Sequence, residues 1–220
     1  MKGKPIKAHW FLWVLIGVGF LVSILLYHRL PAQIPMHWNI AGEVNGYGSR
    51  FEGAFALPLL NVAILLLLVW LPAIDPRRKS YAQFKRFYRL FQWVMVIFLL
   101  GMQGLILAWA LGYRLSVALY VKLALGFLFM VLGNYLGEVR PNWFMGIRTP
   151  WTLENEEVWV KTHHLAGPLM FGVGVLFLVL AFINHVFAFW LIIAGVMAAA
   201  LVPVVYSYWL HQKIVKTDNN

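Results

Sequence analysis

GNYLGEVRPNWFMGIRTPWTLENEEVWVKTHHLAG, residues 133–167, is a polar passage set between two long apolar runs. It gathers Asn134, Glu138, Arg140, Asn142, Arg148, Thr149, Thr152, Lys161, Thr162, His163 and His164 among Trp143, Trp151 and Trp159. Two membrane helices need only about 2 to 8 ordinary residues between them. A connection this long and this mixed reads as a folded element, and the function of the chain is expected to reside in it.

The surrounding runs fix the class. Of 220 residues, 62% are hydrophobic and 12% charged, whereas soluble domains carry about 45–50% apolar and about 25% charged residues. The apolar excess falls in blocks of about 20 residues, the length that crosses a hydrocarbon core. Spans are predicted at about 10–28, 54–74, 90–111, 115–136, 165–183 and 186–209. The fold expected is therefore an all-α membrane bundle of six transmembrane helices. Tight turns close two of its hairpins, at Gly112-Tyr113-Arg114 and Asn184-His185. The first span lacks a small-residue cleavage site and reads as a retained helix.

A net charge of +10 raises the question of nucleic acid, but the basic residues sit at helix ends and in short loops. There they encode orientation and meet anionic head groups, so the lipid bilayer is the partner and no direct nucleic-acid binding is expected. With both termini inside, Lys2, Lys4, Lys7, Arg77, Arg78, Lys79, Lys85, Arg86, Arg89, Arg140, Arg148, Lys161, Lys213 and Lys216 all face the cytoplasm. Only Arg29, Arg50 and Arg114 fall outside, with Lys122 within a span. This bias predicts an N-in, C-in topology. It leaves one structured outer loop, 31–53, and one structured cytoplasmic loop, 138–164. Residues 1–86, with two spans and the outer loop, read as one region and 87–220, with four spans, as another.

Lys122 has two readings: its stem snorkels to the interface, or it lines a polar pathway through the bundle with Asn134 and Arg148. Asn61, Gln92 and Gln103 read as interhelical hydrogen-bond formers, and Gly133 with Gly137 as a close-packing pair. In the outer loop Pro35, His37, Trp38, Asn39, Gly42 and Gly46 form a turn-rich element, either a folded cap or a recognition surface. Asn155 is placed to cap a short helix whose Glu157 and Lys161 are spaced as an i,i+4 pair. Arg140 and Arg148 either anchor orientation or bind an anionic group. Neither His37 nor the His163-His164 pair has metal-site spacing, and neither a nucleophile elbow nor a phosphate loop is present. No metal, cofactor or enzymatic chemistry is expected. Cysteine is absent, which excludes disulfide and thiolate chemistry.

The passage also resembles the signature of the SdpI-type immunity protein family. The resemblance is carried by Gly133, Asn134, Gly137, Arg140, Pro141, Asn142, Gly146, Ile147, Arg148, Thr149, Pro150, Trp151, Thr152, Leu153, Val158, Trp159, Thr162, His163 and Gly167. The outer loop, through Pro31, Ile34, Pro35, His37, Trp38, Gly42 and Gly46, is similar to the uncharacterised domain that opens many members. Where the family usually has Arg after Thr-His, this chain has His164. The resemblance implies a multi-pass protein of the bacterial plasma membrane that protects its host from a secreted membrane-active toxic peptide. It further implies signalling by holding a cytoplasmic repressor at the membrane. A small transporter or lipid-handling protein, with a site near Lys122, Asn134 and Arg148, is the alternative.

Overall fold

The computed structural model describes residues 6–39, 42–183 and 185–218. Lys2 and Lys4 of the charge argument, and Asn184 of the second tight turn, lie outside the described residues. Six helices are long and apolar enough to cross a membrane, which makes the chain a multi-pass plasma-membrane protein. They are α1 (Trp10–Leu26), α2 (Arg50–Ile74), α3 (Lys85–Ala110), α4 (Val117–Leu136), α6 (Glu156–Val179) and α7 (Val186–Asp218). A short helix, α5 (Pro150–Glu154), lies in the connection between α4 and α6.

Several boundaries differ from the expected ones. Helix α3 starts five residues early because Lys85, Arg86 and Arg89 extend beyond the apolar run on strong helix formers. The fifth span and the short helix at Asn155 are a single helix, α6, so His163 and His164 stand on a helix and not in a loop. Asn155 does cap it, accepting from the Val158 N–H at 3.1 Å, and Glu157 pairs with Lys161 at 2.5 Å.

The outer loop is a two-stranded antiparallel hairpin, β1 (Gln33–Trp38) on β2 (Val44–Ser49), set on the otherwise helical bundle. Its turn uses Gly42 at φ +82°, a conformation open to glycine at little cost. Ile34, fully buried, anchors the hairpin: it sits where a Cβ on Gly53 would come within 2.6 Å, beside Ala54 and Leu107. Trp38 meets Trp109 edge-to-face at 5.8 Å.

The helices form two groups of three. Helices α1, α2 and α3 pack together, as do α4, α6 and α7, so the packing division lies between α3 and α4. In the second group a glycine seam brings α4 and α6 into backbone contact. A Cβ at Gly133 would lie 2.7 Å from the Gly167 carbonyl oxygen, and one at Gly174 would lie 2.7 Å from that of Gly126. The two groups join at one end through a shared core that includes Tyr81, Phe84, Tyr88, Leu136, Val139 and Trp159. That end carries Arg77, Arg78, Lys79, Lys85, Arg86 and Arg140; the hairpin lies at the other.

Candidate functional site

The connection from α4 to α6 is held by side chains that replace a regular backbone ladder. Asn142 is fully buried and satisfies its whole amide. Its Nδ2 donates to the carbonyls of Arg140 (2.9 Å) and Met145 (3.1 Å), and its Oδ1 accepts from the N–H groups of Phe144 (2.9 Å) and Met145 (2.7 Å). Buried backbone polar groups in irregular structure need such partners. A second hub reaches in from the end of α2. The Asp75 carboxyl group, 1% exposed, accepts from the Arg77 N–H (2.7 Å), the Tyr81 hydroxyl (2.9 Å) and the Trp143 N–H (3.0 Å). Burial, then the neighbouring Asp75, pushes the Tyr81 phenol far above its ordinary pKa, so it stays a donor. Arg77 adds a hydrogen bond to the Leu153 carbonyl at 2.5 Å. The connection is thus bolted to both helix groups.

Next comes a turn around Gly146, at φ +95°, where a Cβ would collide with the His163 ring. The absence of a side chain lets His163 Nε2 accept from the Ile147 N–H at 2.9 Å. His163 Nδ1 lies 2.8 Å from the Trp159 carbonyl, so it carries the proton and the imidazole is neutral with both nitrogens used. The ring stacks on Trp159 with centroids 4.2 Å apart, and Trp159 Nε1 donates to the Val139 carbonyl at 2.8 Å. Helix α5 then starts on a capping box, Thr149 with Thr152, and Pro150 at its first position, a pattern suited to helix entry. Thr149 also meets Ser207 of α7, oxygen to oxygen 3.0 Å.

Beside this frame a cavity of about 530 Å³ opens between α4 and α6. Asn134, Glu138, Arg140, His164 and Gln83 line it above a floor made by the glycine seam. Arg140 offers donors, Glu138 acceptors, and Asn134 and His164 either, a set matched to a polar or zwitterionic group.

The sequence comparisons join the same elements. Residues 138–207 match the SdpI/YfhL protein family, and residues 14–62 match a domain of unknown function, DUF1648. Immunity protein SdpI of Bacillus subtilis (strain 168) is 27% identical over 203 residues, 91% of this chain and 94% of that protein. The uncharacterized membrane protein YbgB of the same organism is 33% identical over 51 residues, 23% of this chain and 56% of that protein. No solved structure matches.

Within and beside the matched residues the structure separates residues that the sequence grouped. Asn142, Thr149, Thr152, Trp159, Thr162 and His163 are buried, and all but Thr162 hold the frame through the hydrogen bonds just described. Asn134 and Arg140 line the cavity. Arg148 is exposed and donates to the Trp143 carbonyl at 2.6 Å, while Trp151 packs against Tyr208 of α7, the rings tilted by 59° with centroids 4.9 Å apart. Gly137 borders the glycine seam, its backbone nitrogen 3.8 Å from where a Cβ on Gly167 would lie, and a Cβ of its own would meet the His164 ring at 3.6 Å. His164 therefore belongs to the cavity wall.

Lys122 stands twelve residues from Asn134, about 18 Å along α4. Its Nζ donates to the carbonyls of Leu180 (3.1 Å) and Ile183 (3.0 Å), closing the far end of α6. Lys122, Asn134 and Arg148 therefore do not share one cavity. In the hairpin Pro35 is buried, the His37 ring meets Asn45 at 2.5 Å, and Asn39 bonds Glu43 at 2.9 Å. Gly46 lies so close to His37 that a Cβ would be 2.9 Å from that of the histidine. Asp75, Tyr81 and Ser207 were not foreseen from sequence. Their long-range partners, Trp143 for Asp75, Asn142 for Tyr81 (3.4 Å) and Thr149 for Ser207, are 68, 61 and 58 residues away; the available signals were an acid at the end of an apolar span and a serine within another.

Proposed function

We infer that this chain is a membrane immunity protein that protects its bacterial host from a secreted, membrane-active toxic peptide. What supports the reading most is similarity to Immunity protein SdpI along nearly the whole chain, together with a signature connection that is rigidly framed. The distribution of basic residues supports a cytoplasmic position for that connection and an outward position for the hairpin. In this reading residues 1–86 supply the outward hairpin and 87–220 the inward connection. The frame residues, Asn142, Gly146, Thr149, Pro150, Trp151, Thr152, Trp159 and His163, with Thr162 buried beside them, position the binding groups Asn134, Arg140 and Arg148. On the outer side Pro35, His37, Trp38, Asn39, Gly42 and Gly46 shape the surface that meets the peptide. The inner face holds a cytoplasmic repressor through Arg148 and its neighbours. The role is binding, not catalysis.

Expression of the protein in toxin-sensitive cells tests the reading. Membrane potential, followed with a voltage-sensitive dye, is expected to survive peptide challenge in expressing cells. Collapse at the rate of empty-vector cells, with inserted protein confirmed, would overturn it for that peptide. Recovery of a bound regulator from membranes is expected to fall on Arg148→Ala; an unchanged partner profile would remove Arg148 from the account.

A further inference from the structure

Gln92 departs from its expected role as an interhelical hydrogen-bond former. It is fully buried in α3, and neither its Nε2 nor its Oε1 has a protein partner among the described residues. The other buried span amides keep at least one bond: Asn61 donates to the Val96 carbonyl at 3.1 Å, though its Oδ1 has no partner among the described residues, and Gln103 donates to the Gly19 carbonyl at 2.8 Å. A buried amide left unpaired is costly, and more so within a membrane span.

Gln92 lines a second cavity, about 340 Å³, between the starts of α1 and α3, with Lys7, His9, Trp10, Arg89 and Trp93. Two cations face this space and no acid does. The aromatic wall is built: Trp93 sits 5.7 Å from the His9 ring and 6.1 Å from Phe11. His9 also caps α1, its Nδ1 accepting from the Phe11 N–H at 3.3 Å. Trp10, 66% exposed, marks the depth at which tryptophans meet head groups.

We propose that this cavity binds the phosphodiester of an anionic, hydroxyl-bearing phospholipid headgroup. The phosphate oxygens take donors from Lys7 and Arg89, and the headgroup hydroxyls reach the Gln92 amide, which can both donate and accept. The acyl chains leave along the exposed apolar surface of α1. Basic pockets between helices at a membrane surface are suited to such lipids. A free phosphate ester shares the headgroup chemistry but has no use for the open apolar side. This site lies apart from the signature connection and does not depend on its function.

The test uses the purified full chain in nanodiscs of phosphatidylcholine with or without phosphatidylglycerol, reading unfolding temperature and lipid retained in native mass spectrometry. Phosphatidylglycerol is expected to raise the unfolding temperature and to be retained preferentially. Arg89→Gln should weaken retention about tenfold, as loss of one charge-assisted hydrogen bond does. Lys7→Gln, at an exposed position that folding does not need, should weaken it severalfold. Gln92→Leu should lose the response to phosphatidylglycerol while remaining at least as stable as wild type in phosphatidylcholine alone. Equal behaviour in the two lipids, or a response that survives all three substitutions, would overturn the site. An equal rise with glycerol 3-phosphate in phosphatidylcholine discs would overturn the lipid as its source.

Discussion

The α4–α6 connection and the β-hairpin are the two irregular elements of the chain, and they are stabilised in opposite ways. The connection buries polar groups and satisfies them one by one: Asn142, Asp75, Thr152 and His163 are each 1% exposed or less and each hydrogen-bonded. The hairpin satisfies its backbone by strand pairing and buries an apolar foot, Ile34. Its histidine and its polar turn remain at the surface. A polar, motif-rich stretch is therefore not by that fact a binding surface. In the connection most motif residues hold the shape, and a minority, Asn134, Arg140 and Arg148, stay available to a ligand.

The sharpest way to break this contrast is Asn142→Ala. The substitution removes one side chain but orphans the N–H groups of Phe144 and Met145 and the carbonyls of Arg140 and Met145. Each buried orphan costs about 1–3 kcal/mol, partly relieved by relaxation, so a loss of about 4 kcal/mol is expected in detergent unfolding. Because the connection ties both helix groups, hydrogen exchange should rise in the 75–84 segment as well as in 138–155. Exchange confined to 138–155 would show that the two groups do not depend on the connection.

Ile34→Ala is the matching lesion in the hairpin. It deletes a fully buried side chain seated against Gly53 and Leu107, and large-to-small core changes cost about 2–5 kcal/mol. About 3 kcal/mol is expected, with exchange rising in 33–49 while the other end of the bundle keeps its protection. Loosening of the distant connection would contradict the separation of the two elements.

The legibility of these elements in the sequence follows the range of their interactions. The spans could be read from local hydropathy, and Asn155 and the Glu157–Lys161 pair from spacings of three and four residues. Hairpin pairing was hidden because Pro35 and three glycines, Gly42, Gly46 and Gly48, mask strand propensity. The alternation of Ile34, Met36 and Trp38 was the signal available. The Asp75–Trp143 and Thr149–Ser207 contacts join segments more than fifty residues apart, and no local pattern specifies them. The cavity beside Arg140 likewise arises only when the α4–α6 glycine seam forms. Lys122 allowed two readings because its partners, two carbonyls at the end of α6, carry no side-chain signature.

The smallest effects on stability fall on the exposed groups, and there the contrast turns functional. Arg148 keeps one hydrogen bond, to the Trp143 carbonyl, and His37 one, to Asn45; both side chains are exposed. Surface substitutions away from buried networks usually stay within about 0.5 kcal/mol, so Arg148→Ala and His37→Ala should each unfold within that margin of wild type. Their effects on protection against peptide should differ in kind. If the hairpin meets the peptide, His37→Ala lowers survival under challenge while regulator recovery from membranes is unchanged; Arg148→Ala does the reverse. Loss of both readouts by either substitution, at unchanged stability, would mean that the two ends of the bundle are energetically coupled. The wide separation of the two elements would then be the property to explain, since His37 lies at the opposite end from the frame that joins the helix groups and Arg148 touches that frame only through the Trp143 carbonyl.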